Sequence, residues 1–117
     1  MTTKEAVKKG LEKVKAKFQD VEVKNAFKGF NKSVQFVCPD IDLSYAIKVT
    51  GGEIKVFKEG TVNKPDISIS MDSDTFLAFQ NKEITGVTAL AQDKIKVTGI
   101  VADLLLIEKY LTKPANS

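Results

Sequence analysis

At Ser33 the spacing of apolar residues along the chain changes from three or four to two, and it stays at two as far as Met71. Upstream, Val7, Leu11, Val14 and Phe18 recur at i, i+4, i+7 and i+11, one face of a helix with Lys residues on the other. Gly10 weakens that helix by about 1 kcal/mol relative to Ala but permits close packing. A second short helix is expected over 21–30, where Val23, Phe27 and Phe30 share a face and Gly29 and Asn31 supply stop signals. Helices that give way to a long alternating stretch confine the chain to the α+β class.

The alternating stretch divides into four strands. Val34, Phe36 and Cys38 alternate with Gln35 and Val37, and Pro39-Asp40 ends the run. Leu43, Tyr45, Ile47 and Val49 alternate with Ser44, Ala46, Lys48 and Thr50, a half-buried strand. Gly51-Gly52 marks a hairpin turn. Ile54 and Val56 alternate with Lys55 and Phe57, and Glu59-Gly60 turns the chain again. Ile67, Ile69 and Met71 alternate with Ser68 and Ser70. Four strands in succession with short turns predict an antiparallel sheet with one buried face.

The helical period then returns. Asp72, Ser73 and Asp74 form a helix start, where a side-chain oxygen caps free N–H groups and carboxylates complement the dipole. Residues 75–81 carry Phe76, Leu77 and Phe79, and 86–92 form a further turn or two. Ile95 and Val97 alternate with Lys96 and Thr98 as a fifth strand that Gly99 ends. A last helix over 101–111 has Asp103 early and Lys109 and Lys113 late. It carries Val101, Leu104, Leu105, Leu106, Ile107 and Leu111, more apolar surface than one stripe against a sheet requires. The whole chain, 1–117, is expected to be one domain with a flexible tail at 113–117.

Composition excludes several kinds of chemistry. There is no His, the commonest general base and metal ligand, so zinc held by Cys and His is ruled out. Cys38 is alone, forms no intramolecular disulfide, and reads as a small buried hydrophobe. All 18 basic residues are Lys; without Arg, bidentate reading of bases or phosphates is absent and nucleic acid is not expected. No glycine-rich phosphate loop exists, since Gly51-Gly52 lacks its context. Asp72 and Asp74 read as helix-start residues rather than a catalytic pair, and Asp40 and Asp42 as a solvated turn. Neither a catalytic residue nor a cofactor nor a metal is expected. Residues 1–32 hold nine Lys against four acids, a net +5, while the remainder is net −2. That basic first helix is either a solvated face or a means of touching an anionic membrane. With no apolar run of about 18 residues and no signal-type block near Met1, a cytoplasmic protein is expected.

The most distinctive stretch runs from Pro65 to Gly99. It contains Pro65-Asp66, the strand 67–71, the acidic start Asp72-Ser73-Asp74, Phe76, Asn81-Lys82, the apolar turn 87–90, and Lys94-Ile95-Lys96-Val97-Thr98-Gly99. This motif and the order of elements resemble the sterol carrier protein 2 family, the non-specific lipid-transfer domain. Asn81 and Asp93 stand where the family often has Gly, and Asn tolerates the left-handed conformation that a helix end needs. Val87, Thr88 and Ala89 replace larger aromatic or Met groups and are expected to set ligand preference. The C-terminal Ala-Asn-Ser differs from a peroxisomal signal.

The resemblance implies a five-stranded, mainly antiparallel sheet covered on one face by helices, enclosing a hydrophobic tunnel for fatty acids, fatty acyl-CoA, sterols or phospholipids. The residues expected to line it are Phe36, Tyr45, Ile47, Val56, Ile69 and Val97 from the sheet. From the helices they are Phe76, Phe79, Val87, Leu90, Leu104, Leu105 and Ile107. Nearby Lys would hold an anionic head group, and Tyr45 and Tyr110 either donate to it or pack their rings. An empty tunnel of roughly 400 Å³ costs on the order of 10 kcal/mol, so it is expected to be lipid-filled or partly collapsed. The alternatives are a protein-interaction or dimerisation module using the last helix, and an accessory domain presenting lipid to an enzyme. The protein is expected to be a monomer or weak dimer.

Overall fold

A computed structural model describes residues 3–111; the tail expected at 113–117 lies outside the described residues. Helix α1 spans Lys4–Lys17 and α2 spans Val21–Ala26. Thr3 Oγ1 accepts the Ala6 N–H at the start of α1, and Asp20 Oδ1 accepts the Glu22 N–H at the start of α2. The second helix is shorter than its apolar pattern suggests, because Gly29 and Asn31 hand the chain directly to strand β1, Asn31–Cys38. Strands β2 (Leu43–Thr50), β3 (Glu53–Glu59) and β4 (Ile67–Met71) follow, then helices α3 (Ser73–Gln80) and α4 (Gly86–Ala91), strand β5 (Ile95–Thr98) and helix α5 (Val101–Leu111).

The sheet is mixed, in the order β3-β2-β1-β4-β5. Strands β1, β2 and β3 form an antiparallel meander, but β4 pairs with β1 in parallel and β5 closes antiparallel on β4. The expected run of four antiparallel strands is therefore broken at its last step. The reason lies in the β3–β4 connection, which passes the outer face of the sheet. There the buried Gln35 donates Nε2–H to the carbonyls of Tyr45 and Gly60 and accepts the Val62 N–H at Oε1. A connection held this way crosses from the end of β3 to the opposite end of the sheet, where β1 begins, and β4 then runs beside β1 in its direction.

A register shift between Lys48 and Val49 alters one inward face. Ile47 pairs with Phe57 and Lys48 with Val56, yet Val49 pairs with Ile54, leaving Lys55 as the extra residue of a bulge. Ile54 and Phe57 consequently share the inner face with Ile47 and Val49. Val56 turns to the other side with Lys48, contrary to its expected inward placement.

The helices cover the inner face. Gly10 of α1 lies against α3 so closely that a Cβ there would stand 2.6 Å from Phe76 Cε2. The start of α3 is capped from a distance: Asp40 Oδ1 accepts the Ser73 N–H at 3.0 Å and its Oδ2 accepts the Ser73 hydroxyl at 2.6 Å. Asp72 occupies the cap position without a side-chain cap bond. Asp40, read as a solvated turn residue, is thus the cap of α3. At the other end of α3 the left-handed residue is Lys82 (φ 59), not Asn81 (φ −90). The Lys82 N–H donates to Phe79 O and the Glu83 N–H to Ala78 O, the pairing of a Schellman motif. Asp93 (φ 55) plays the same part after α4.

Candidate functional site

Two buried clusters support the inner face. One joins Val7, Leu11, Phe36, Cys38, Leu43, Tyr45 and Phe76 beneath α1 and α3. The other joins Phe18, Val23, Phe27, Phe30, Val34, Val49 and Ile67, with Leu104, Leu106, Ile107 and Tyr110 of α5 packed against it. Its rings meet edge-on or tilted: Phe18 to Phe27 at 5.1 Å, Phe27 to Phe30 at 5.2 Å and Phe27 to Tyr110 at 6.3 Å between centroids.

Between sheet and helices lies a cavity of about 220 Å³. All five strands contribute to its floor, and the contributions slide along a diagonal. They are Ile54 and Phe57 from β3, Ile47 and Val49 from β2, Val34 and Phe36 from β1, Ile69 and Met71 from β4, and Ile95 and Val97 from β5. With Ile47 opposite Val34, and Phe36 opposite both Tyr45 and Ile69, each step toward β4 shifts the lining by one inward row. Strands stand about 4.8 Å apart, so the cavity crosses about 19 Å of sheet and more along the diagonal.

The roof comes from α1, α3, α4 and α5 and from the residues that directly follow α1 and α2. α1 supplies Leu11 and Val14, with Phe18 directly after it, and α3 supplies Phe76, Phe79 and Gln80. α4 supplies Gly86, Val87 and Leu90, and α5 supplies Leu104, Leu105, Ile107 and Glu108, while Phe27 and Phe30 come from the end of α2 and the turn after it. Val87 is 71%, Leu90 49% and Leu105 56% exposed, so the cavity opens between α4 and α5.

Eleven of the thirteen sequence-predicted residues meet at this cavity: Phe36, Ile47, Ile69, Phe76, Phe79, Val87, Leu90, Val97, Leu104, Leu105 and Ile107. Two do not. Val56 is turned away by the bulge. Tyr45 has the inward orientation but lies off the diagonal, packed on Phe57 at 5.3 Å within the closed cluster under α1. Sequence reasoning missed the α1–α2 part of the roof, although the stripe through Leu11, Val14 and Phe18 and the shared face of Phe27 and Phe30 carried the signal. It also missed Ile54, Phe57, Val34, Val49, Met71, Gly86 and Ile95, and the two polar side chains in the wall, Gln80 and Glu108.

Those polar groups pin the roof. Gln80 Nε2 donates to Gly10 O at 3.2 Å, tying α3 to α1. The Gly86 N–H donates to Glu108, tying α4 to α5. Lys32 pairs with Asp103, fixing the start of α5 to β1. Lys17, on the α1 stripe that also carries Gly10 and Val14, is half-buried. Burial first, and the Lys82 ammonium second, push its amine down to about 8. In the closed cluster, burial followed by Asp40 and Asp72 pushes the Cys38 thiol up to about 12, so it is protonated and unreactive at neutral pH. Among the described residues, no group of three or more Cys, Asp or Glu is placed to hold a metal ion. No helix of the described residues is long and apolar enough to cross a membrane.

A one-sided helical roof over a mixed sheet, with an apolar hollow between the layers, defines the class: a cavity-bearing α+β domain. A profile of the SCP-2 sterol transfer family matches residues 11–111, and the chain belongs to that family. No curated protein matches in a sequence search. Among solved structures, a crystal structure of sterol carrier protein 2 is similar with a TM-score of 0.70 at 16% identity, over 92% of this chain and 94% of that one. Sterol carrier protein 2 from Aedes aegypti, solved in complex with the C16 fatty acid palmitate, has a TM-score of 0.69 at 17% identity, over 95% and 96% of the two chains. A stereoselective inverting sec-alkylsulfatase from Pseudomonas sp. contains the same fold, with a TM-score of 0.66 at 19% identity. That match covers 75% of this chain but 14% of the sulfatase, so the present chain spans a small part of that enzyme's length.

Proposed function

We propose that the chain is a lipid carrier: it encloses the hydrocarbon chain of a fatty acid, fatty acyl-CoA, sterol-like molecule or phospholipid, and does not transform it. One observation carries this reading, the diagonal cavity whose side chains are apolar apart from Gln80 and Glu108. Leaving about 220 Å³ unfilled costs on the order of 5 kcal/mol, a large share of a domain's stability. An acyl chain offsets that cost at about 0.8 kcal/mol per buried methylene. Membership of the SCP-2 sterol transfer family and the palmitate complex of the mosquito relative support the reading. The ligand touches the eleven cavity residues named above and leaves Tyr45 and Val56 alone. The reading places the protein in the cytoplasm as one domain, its exposed α1 lysines meeting anionic membranes transiently.

The test combines native mass spectrometry with thermal melting. Protein purified without added lipid carries a bound acyl lipid, and stripping it lowers the melting temperature. Palmitate at one hundred times its dissociation constant then restores about 2.7 kcal/mol. A clean apo mass, with melting unmoved by fatty acids, acyl-CoA, sterols and phospholipids, sinks the proposal.

A second reading is favoured by the sulfatase, in which this fold is part of a larger enzyme chain. In this reading the present domain presents lipid to an enzyme on another chain. Its test is the turnover of a partner's lipid substrate with and without this protein.

A further inference from the structure

Among the described residues six large apolar side chains are exposed, and five of them belong to α4, α5 and the residue before α5: Val87, Leu90, Ile100, Val101 and Leu105. Val87, Leu90 and Leu105 rim the mouth of the cavity. Val101 lies one helical turn before Leu105 and extends that rim along α5, and Ile100 directly precedes it. The core does not account for this surface, because Leu104, Leu106 and Ile107 already pack α5 onto the aromatic cluster. Val101 and Ile100 are 69% and 60% exposed and line no cavity. A contiguous exposed apolar patch of this kind marks an interaction surface. α1 is different: its outer face is rich in lysine, and none of its large apolar side chains is exposed.

We propose that this α4–α5 face docks on a lipid bilayer with anionic head groups, and that the carried chain enters and leaves the cavity there; this rests on the carrier reading. Two observations select a bilayer. The first is that the mouth opens within the patch. A second copy of the protein laid over it would cover the rim but leave the cavity of about 220 Å³ beneath it unfilled, whereas acyl chains cover the rim and fill the hollow. The second is charge. From α4 to the end of α5, Lys94, Lys96 and Lys109 are exposed against Asp93 alone, because Asp103 is taken up by Lys32 and Glu108 by the Gly86 N–H. Lys109 continues the Val101–Leu105 stripe by one further turn, and Lys94 stands just past the end of α4. Both can lay their methylene stems along the apolar rim and carry their ammonium groups to lipid phosphates. The face then lies in the interfacial layer, with α5 along the membrane surface.

The chain contains no Trp, so Val101→Trp introduces a single fluorescent reporter into the face. The probe is vesicles of phosphatidylcholine containing about one fifth phosphatidylserine. On adding them the emission moves to the blue and is quenched by brominated acyl chains, and high salt does not reverse the shift of bound protein, because apolar insertion is not screened. Ile100→Ser/Val101→Ser, outside the cavity lining, lowers vesicle affinity by about tenfold while palmitate binding stays within about twofold. Ile100→Trp takes over as reporter if Val101→Trp fails to fold. A reporter that vesicles leave unmoved overturns the proposal, and if the protein still sediments with them the contact belongs to the α1 lysines. A blue shift that grows with protein concentration in the absence of vesicles, together with a doubled mass in light scattering, overturns it in favour of a second copy. If no fatty acid, acyl-CoA, sterol or phospholipid binds, the carrier reading itself fails whatever the reporter does; if palmitate binds and the reporter is unmoved, only the docking does.

Discussion

The inner face of the sheet is filled in two ways. At the corner formed by the end of β1 and the start of β2, Val7, Cys38 and Leu43 are fully buried and Phe36, Tyr45 and Phe76 close around them. Along the diagonal from β3 to β5, the same kind of side chain faces a hollow, and the α4 and α5 residues above it stand half in water. The closed corner is covered by α1 and α3, which meet through Gly10 without a gap. The α4–α5 cover leans on two polar pins, Glu108 to Gly86 and Lys32 to Asp103, besides the packing of Leu104, Leu106 and Ile107 on the aromatic cluster. Apolar composition alone therefore does not distinguish a core from a container. Helix-to-sheet contact without a gap makes the first, and helices suspended by a few pins make the second.

The largest expected effect separates these two regions directly. Leu43→Ala in the closed corner costs about 3 kcal/mol in urea denaturation, with or without lipid. Leu105→Ala, on a residue that lines the hollow and is 56% exposed, costs under about 0.5 kcal/mol in the stripped protein. It does, however, reduce the stabilisation that palmitate confers. Equal destabilisation by the two substitutions breaks the comparison and makes α5 part of the core.

A smaller effect is expected at the pin. Glu108→Ala leaves the Gly86 N–H without its carboxylate partner at the edge of the hollow. Amide exchange across α4 then quickens by about tenfold while the strands keep their protection. Exchange that quickens equally in β1 and β2 instead joins the roof to the global unfolding unit.

How much of this was readable beforehand follows the same division. Element order was legible, because apolar period changes at Ser33 and again after Met71. Local features that depend on distant partners were not. The parallel placement of β4 rests on Gln35 holding the β3–β4 connection, the cap of α3 comes from Asp40, and the bulge at Lys55 exchanges Val56 for Phe57 on the inner face. Alternation says which side of the sheet a residue takes, and Tyr45 obeyed it. It does not say where along that side the helices leave a gap, and Tyr45 fell outside the diagonal for that reason. The roof from α1 and α2 was hidden likewise, since a stripe such as Leu11, Val14 and Phe18 looks the same over a core or over a cavity.

The finest distinction between the two regions is electrostatic. Cys38 lies in the closed corner and Lys17 on α1 one turn beyond the cavity-lining Val14; burial drives each toward its neutral form, and the two respond to pH differently. Cys38, pushed up to about 12, stays a thiol throughout the ordinary range and leaves the closed corner insensitive to pH. Lys17 titrates at about 8 when folded and at its ordinary 10.5 when unfolded. Below pH 8 both states are charged and the folded state bears the full penalty of a half-buried ammonium beside Lys82. Between pH 8 and 10.5 the unfolded state binds more protons than the folded one, so stability from this group rises with pH; above 10.5 the penalty is gone. Lys17→Met therefore raises the melting temperature of lipid-free protein at pH 7, and the advantage over wild type shrinks to nothing as pH passes from 8 to 10.5. Solvent screening of a half-exposed amine keeps the gain small. Taking the difference between variant and wild type cancels the other lysines and tyrosines that titrate in the same window. A gain that persists unchanged at pH 10.5 would instead place the effect in the packing of the Met side chain, and the charge of Lys17 would then play no part in distinguishing the hollow region from the closed one.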